Sequence, residues 1–198
     1  MMIELNEIKR LKDLTGVGLT DAKKALEDSK GNFDKALETM RKKGLTKAEK
    51  RSEKETREGI VNTYNHDNRI GVVVEVNCET DFVARNEIFL NLVKDISMQI
   101  AATDPEYISI KDVPEDIKAK VFDEYSTKAL SENKPKEMIQ KIVENQVNKY
   151  FSEKCLLSQY FIKDEKITID ELLKEHISKL GENIVINKFY RIALGEVK

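Results

Sequence analysis

A chain of 198 residues has room for one medium domain, or for a small domain joined to a larger one. Its 34 basic and 36 acidic side chains nearly cancel, at a formal charge of −2, and lack the basic excess with which a dedicated nucleic-acid binder neutralises phosphates. Hydrophobic residues at 40% suffice for a packed core, and no apolar run approaches the roughly 20 residues that cross a bilayer.

Charged residues make up 35% of the chain and read as solvated helix faces. Two cysteines, Cys78 and Cys155, are too few for a disulfide framework and have no metal-ligand spacing. The start, Met1-Met2-Ile3-Glu4-Leu5, runs straight into an acidic–basic helical pattern, and neither a signal nor a transit peptide is expected. A reducing cytoplasm is the expected location.

Residues 1–44 read as three short helices. Leu5, Ile8, Leu11 and Leu14 form an apolar stripe, and Thr15-Gly16-Val17-Gly18 breaks it. A second helix runs from about Thr20 through Ala22, Ala25 and Leu26, and ends at Lys30-Gly31-Asn32. Phe33, Ala36, Leu37 and Met40 then mark the apolar face of a third, with Lys43-Gly44 as its expected stop. Helices this short must share one core to be stable. Over 45–58 the apolar periodicity disappears, and Lys47, Lys50, Arg51, Lys54 and Arg57 alternate with glutamates. This is an expected charged helical linker; a basic contact strip for a partner or RNA is the alternative.

The remainder, 59–198, reads as an α+β core domain. Ile60–Tyr64 and Ile70–Asn77 are strand-like around a turn at His66-Asp67-Asn68, with Ile70, Val72, Val74 and Val76 on one face and Val73 and Glu75 on the other. A long amphipathic helix follows near Asn86–Ala101, with Phe89, Leu92, Val93, Ile96 and Ile100 on one side. Pro105 and Pro114 bracket a loop. Ile117, Val121 and Tyr125 mark a further helix, Lys134-Pro135 a break, and Ile139, Ile142, Val143, Val147 and Tyr150 another helix. Thr168-Ile169-Asp170-Glu171 is a capping box opening a helix that Gly181 closes, and Ile184–Leu194 reads as the last strand. The hairpin and this strand are expected to form one three-stranded antiparallel sheet, packed by the helices.

Chemistry finds little support in these residues. Gly16-Val17-Gly18 lacks the strand and the closing Lys-Ser/Thr of a phosphate loop. His66 and His176 have no Cys, Asp or Glu at metal-ligand spacing, and nothing favours pairing either with Cys78. No catalytic, cofactor-binding or metal-binding residue is expected, and no cofactor. The informative stretch is Glu75-Val76-Asn77-Cys78-Glu79-Thr80-Asp81-Phe82-Val83-Ala84-Arg85, where a strand gives way to a helix. On the residues alone the favoured reading is local: Thr80 or Asp81 caps the helix while Phe82 packs into the core.

That stretch closely resembles a signature of the bacterial elongation factor Ts family, the exchange factors of elongation factor Tu. The segment Leu11-Lys12-Asp13-Leu14-Thr15-Gly16-Val17-Gly18-Leu19-Thr20-Asp21-Ala22-Lys23-Lys24-Ala25-Leu26 resembles the family's N-terminal signature, with Lys12 where arginine is usual and Leu19-Thr20 where two methionines are frequent. The run Gly181-Glu182-Asn183 is also family-like. The resemblance implies an N-terminal three-helix domain like a ubiquitin-associated domain, followed by a dimerisation-type core. Longer members carry two core modules; this chain has room for one.

It further implies a non-enzymatic guanine nucleotide exchange factor in protein synthesis, whose partner is the GTPase elongation factor Tu. In the family an Asp-Phe pair at the positions of Asp81 and Phe82 enters near the magnesium site of the GTPase. Thr80, Asp81, Phe82 and Val83 are therefore the expected magnesium-dislocating contacts, with Thr80 and Val83 shaping the turn. Lys12, Leu19, Thr20 and Lys23 match N-terminal positions that contact the GTPase; their local alternatives are solvation for the lysines and core closure for Leu19. With one core module, a homodimer pairing through the last strand near Phe189 and Tyr190 is expected. Neither a membrane nor direct nucleic-acid contact is expected. Two rival readings remain: a scaffold whose three helices capture an unrelated peptide, and an RNA-binding accessory factor using Arg41–Arg57.

Overall fold

A computed structural model describes residues 4–131 and 136–196, and resolves into two compact units. One comprises residues up to Ala101 together with those from Asp170 onward; the other spans Ala102–Ile169. The expected break at Lys134-Pro135 lies outside the described residues.

The first unit opens with α1 (Leu5–Thr15), α2 (Leu19–Asp28) and α3 (Phe33–Arg51). The buried face of α1 is Ile8, Leu11 and Thr15, while Leu5 and Leu14 are exposed. A stripe with a strict three-residue step rotates steadily around a 3.6-residue helix, so its ends leave the core. Thr15 is buried at no polar cost because its Oγ1 donates to the Leu11 carbonyl at 2.6 Å. Gly16 then takes a left-handed conformation at φ 67°, and its N–H closes the helix on the Lys12 carbonyl. Val17 is buried with Ile8, Leu11, Ala22, Ala25, Leu26, Ala36 and Met40, so the glycine-flanked loop packs as part of the shared core.

Helix α3 does not stop at Gly44; it continues to Arg51. Gly44 instead marks a close approach to α8 (Ile169–Leu180), since a Cβ there would stand 3.3 Å from Ser178 Oγ. Nearby, Arg41 pairs with Glu175 at 2.9 Å. Tertiary packing thus overrides the low helix propensity of glycine at this point.

Strands β1 (Glu58–His66) and β2 (Ile70–Cys78) form a hairpin whose turn residues Asp67 and Asn68 both have positive φ, and the Asn65 side chain accepts from the Asn68 N–H at 2.8 Å. Strand β5 (Ile184–Ala193) pairs antiparallel along the other edge of β2, giving the order β1-β2-β5. On β2, Val72, Val74, Val76 and Cys78 are buried and Val73 is exposed, the alternation of a half-buried strand. A short helix, α4 (Asp81–Ala84), links β2 to α5 (Glu87–Thr103). Phe89, Leu92, Val93, Ile96 and Ile100 of α5 are all buried. The Asn62 amide donates to Ser97 Oγ and the Arg191 guanidinium to the Ala101 carbonyl, placing α5 over the face that carries Val72 and Val74.

The second unit contains α6 (Glu115–Ser131) and α7 (Lys136–Lys154), packed around Val113, Val121, Phe151 and Cys155 with Ile117, Tyr125, Val147 and Tyr150 against them. A hairpin of β3 (Tyr160–Phe161) and β4 (Asp164–Thr168) completes it. That hairpin gives no sequence signal, because β3 has two residues and three of the five residues of β4 are charged. Among the described residues no helix is long and apolar enough to cross a membrane.

Candidate partner-binding site

Strand β2 delivers the chain to Cys78, the last rung of its ladder with β5, opposite Ile184. The Cys78 thiol is fully buried and donates to the Thr80 carbonyl at 3.2 Å. Burial, reinforced by the charges of Glu182 and Glu58, pushes its pKa up to about 11. It is therefore a protonated structural thiol at neutral pH, and the whole length of β2 separates it from His66 at the hairpin turn. His176, on α8, donates through Nδ1–H to the Leu172 carbonyl at 2.8 Å, and its pKa is lowered by burial in the first place.

Beyond Cys78 the two strands part, but side chains keep them joined. Glu79 Oε1 accepts from the Asn183 N–H at 2.6 Å, and both Glu79 oxygens accept from Arg51 Nη1, at 2.9 and 3.1 Å. Asn183 in turn donates its side-chain amide to the Lys54 carbonyl at 2.8 Å. From the opposite side, Glu182 accepts from the N–H groups of Glu79 and Thr80, at 3.1 and 3.0 Å, and from Thr80 Oγ1 at 2.6 Å. Burial acts to raise the Glu79 carboxyl, but the Asn183 amide and Arg51 outweigh it and hold its pKa below the ordinary 4.5. A carboxylate so held contributes stability that is fully present above the unfolded-state pKa and is lost as pH falls through the folded one. Glu79→Gln is accordingly expected to lower Tm by a few degrees at pH 7, a deficit that closes when both proteins are melted well below pH 4.5. A constant deficit across that range would rule out this role for the charge.

The expected turn sits directly on this clamp. Thr80 is extended and is the N-cap of α4, its Oγ1 accepting from the Val83 N–H at 3.5 Å. Asp81, half-exposed, pairs with the largely solvated Arg85 across one helical turn at 3.3 Å, so the contact is worth little energetically. Val83 is half-buried and Ala84 buried. Capping by Thr80 follows the local reading, but Phe82 does not pack into the core: 83% of its surface is exposed. Fully burying such a ring is worth about 1.5–3 kcal/mol, which the free chain forgoes.

The N-terminal candidates occupy a second location. Lys12 lies in the last turn of α1, 3.9 Å from Asp13. Leu19 and Thr20 open α2, both exposed, and Lys23 follows Leu19 by one turn, 3.8 Å from Glu27. Leu19 therefore does not close the three-helix core. Leu14, the last residue of the expected apolar stripe, is exposed just before the Gly16–Gly18 loop. Arg51, Glu79, Glu182 and Asn183 fall in three separate segments of the sequence, the charged segment, the stretch after β2 and the Gly181-Glu182-Asn183 run, and nothing local pairs them. Among the described residues no group of three or more His, Cys, Asp or Glu side chains is arranged to hold a metal ion.

A family model described as Elongation factor TS matches residues 5–196. A protein named elongation factor Ts from Thermodesulfovibrio yellowstonii is 46% identical over 198 residues, covering 100% of this chain and 99% of the relative. Those of Moorella thermoacetica and Thermoanaerobacter sp. (strain X514) are each 47% identical over 196 residues, covering 98% of this chain and 97% and 96% of the relatives. Matching the family model almost end to end, and its relatives over nearly their whole length, the chain belongs to the elongation factor Ts family.

Proposed function

We propose that the chain is a guanine nucleotide exchange factor for elongation factor Tu in protein synthesis, and acts by binding rather than by catalysing a covalent change. It docks on the GDP-bound GTPase, disturbs the magnesium and phosphate site, and so promotes GDP release. The observation that carries this reading is the 83% exposure of Phe82 on a turn whose backbone is clamped from two directions. An apolar side chain left in water on a rigid support gains its burial energy only when a partner receives it. Phe82 is the wedge, Asp81 beside it acts on the magnesium surroundings, and Thr80 and Val83 hold the turn. An exchange factor must prefer the nucleotide-free partner, and by linkage nucleotide weakens its binding by the same factor.

Lys12, Leu19, Thr20 and Lys23 are the proposed docking contacts of a ubiquitin-associated-like N-terminal domain of residues 1–44, joined through the charged segment 45–58 to the core of 59–198. Leu19 gives apolar contact and the lysines steer the encounter. Release of a fluorescent GDP analogue from purified elongation factor Tu tests the function directly. Sub-stoichiometric amounts of the folded chain should accelerate release, and no acceleration with a matched partner would overturn the assignment.

The proposed role in protein synthesis implies the cytoplasm, and the open face of the sheet supports a homodimer there. Val61, Tyr190 and Ile192 on that face are 67%, 58% and 76% exposed, beside Val73, which is paired with Tyr190. Phe189, expected to share the interface, pairs with buried Val74 on the helix-covered face. Sedimentation at micromolar concentration should give a dimer, and Tyr190→Glu should give a monomer by placing a charge on the face. A parent that sediments as a monomer with full exchange activity would overturn the dimer.

A further inference from the structure

The direction in which Phe82 leaves the domain cannot be set by its own side chain, which is almost wholly in solvent. It must be set by the backbone of the turn, and that backbone begins where the β2–β5 ladder has already ended. Beyond the Cys78–Ile184 rung, Thr80 faces Glu182 in the continuing register, and the partner it meets there is a carboxylate instead of a carbonyl. Glu182 receives every hydrogen bond that joins Thr80 to the neighbouring segment, two of its three partners being backbone amides.

The third bond, from Thr80 Oγ1, has a consequence for α4. A threonine hydroxyl carries one proton. With that proton directed to Glu182 at 2.6 Å, a lone pair is left facing the Val83 N–H, a long contact of 3.5 Å at the cap of the turn that carries Phe82. Charge-assisted bonds of this kind are the strong ones, and three on a single carboxylate leave the turn little freedom. The Glu79–Asn183 bond runs the other way, so the two segments each place a glutamate on the other's backbone.

We propose that Glu182 is a positioning residue for exchange: from the Gly181–Asn183 segment it sets the presentation of Phe82 by fixing Thr80. The proposal rests on Phe82 being the wedge. A displacement of about 1 Å can cost a positioned group up to a hundredfold, and the contribution of Phe82 itself caps the loss. Glu182→Gln is nearly isosteric, but its one carbonyl oxygen can replace only one of the two accepting oxygens, and its NH2 cannot accept from the turn. No charge strengthens the bonds that remain.

The test is a double-variant cycle in GDP release from elongation factor Tu, read as saturating rate and half-saturating concentration separately. E182Q should lower the saturating rate about tenfold while the half-saturating concentration stays within about twofold. In the Phe82→Ala background the same change should cost clearly less. On the free chain, amide hydrogen exchange should show Glu79 and Thr80 losing protection while Val74 and Val76 keep theirs. Should E182Q fail to fold, Thr80→Val removes the 2.6 Å bond and takes its place in the cycle. Equal cost in both backgrounds, or unchanged protection at Glu79 and Thr80, overturns the positioning role and leaves the exchange function standing. Exchange unaffected by Phe82→Ala overturns the wedge and this proposal together, and absence of any acceleration by the parent overturns the function itself.

Discussion

Replacing Phe82 by alanine is expected to slow assisted GDP release about tenfold to a hundredfold and to leave the free protein folded. The magnitude follows from the burial a partner would provide. A fully received phenylalanine side chain is worth about 1.5–3 kcal/mol, and each tenfold change in rate corresponds to about 1.4 kcal/mol. The full value appears in the rate only if the pocket exists in the open GTPase and not in the closed one, since equal burial in both states would tighten binding without speeding release. The stability half of the expectation rests on exposure: an 83% exposed ring contributes few contacts to lose. Stopped-flow release of a fluorescent GDP analogue, with thermal melts of both proteins, checks the two halves together. A variant as fast as the parent would move the wedge elsewhere, and one that unfolds would mean Phe82 belongs to the core.

The same residue shows where sequence patterns stop being informative. Strand β2 was legible because Val72, Val74 and Val76 alternate with Val73 and Glu75, and α5 because Phe89, Leu92, Val93, Ile96 and Ile100 keep a helical step. Periodicity scores a phenylalanine as core whenever it adjoins a regular element, so on local grounds Phe82 belonged inside; only the resemblance of its neighbours to a family signature pointed outward. The stop expected at Gly44 failed for a related reason. Glycine ends helices that nothing else supports, but here its missing side chain makes room for Ser178, far away in the chain. The clamp is the clearest case. Glu79 and Glu182 read locally as two more solvated carboxylates among 36 acidic residues, and their function as hydrogen-bond acceptors exists only once β5 has returned beside β2. Long-range contacts between charged residues leave no periodic trace.

A second large effect is expected at Gly16, where the loop before α2 meets α8. Gly16 has φ 67°, a conformation that costs an L-residue about 1–2 kcal/mol. A Cβ at this position would also stand 2.4 Å from Lys179 Cγ and 2.6 Å from Lys179 Cα. The long side chain can swing aside, but the Cα can move only with α8 itself, and overpacking of this kind costs typically about 1–3 kcal/mol more. For a chain of this size, Gly16→Ala should therefore lower Tm by roughly 5–15 °C. Gly18, at the other end of the loop, is the internal comparison: its φ is −65° and a Cβ there would meet Asp21 at an ordinary 3.6 Å, so Gly18→Ala should cost far less. Functionally Gly16→Ala should part company with Phe82→Ala. The loop carries Lys12 on one side and Leu19 on the other, so loosening it should raise the concentration of chain needed for half-maximal exchange while the saturating rate set by Phe82 persists. If Gly16→Ala melts with the parent, α1 and α2 do not stand against Lys179 in solution as they do here; if it melts early but docks as well as the parent, the N-terminal residues are not the docking surface.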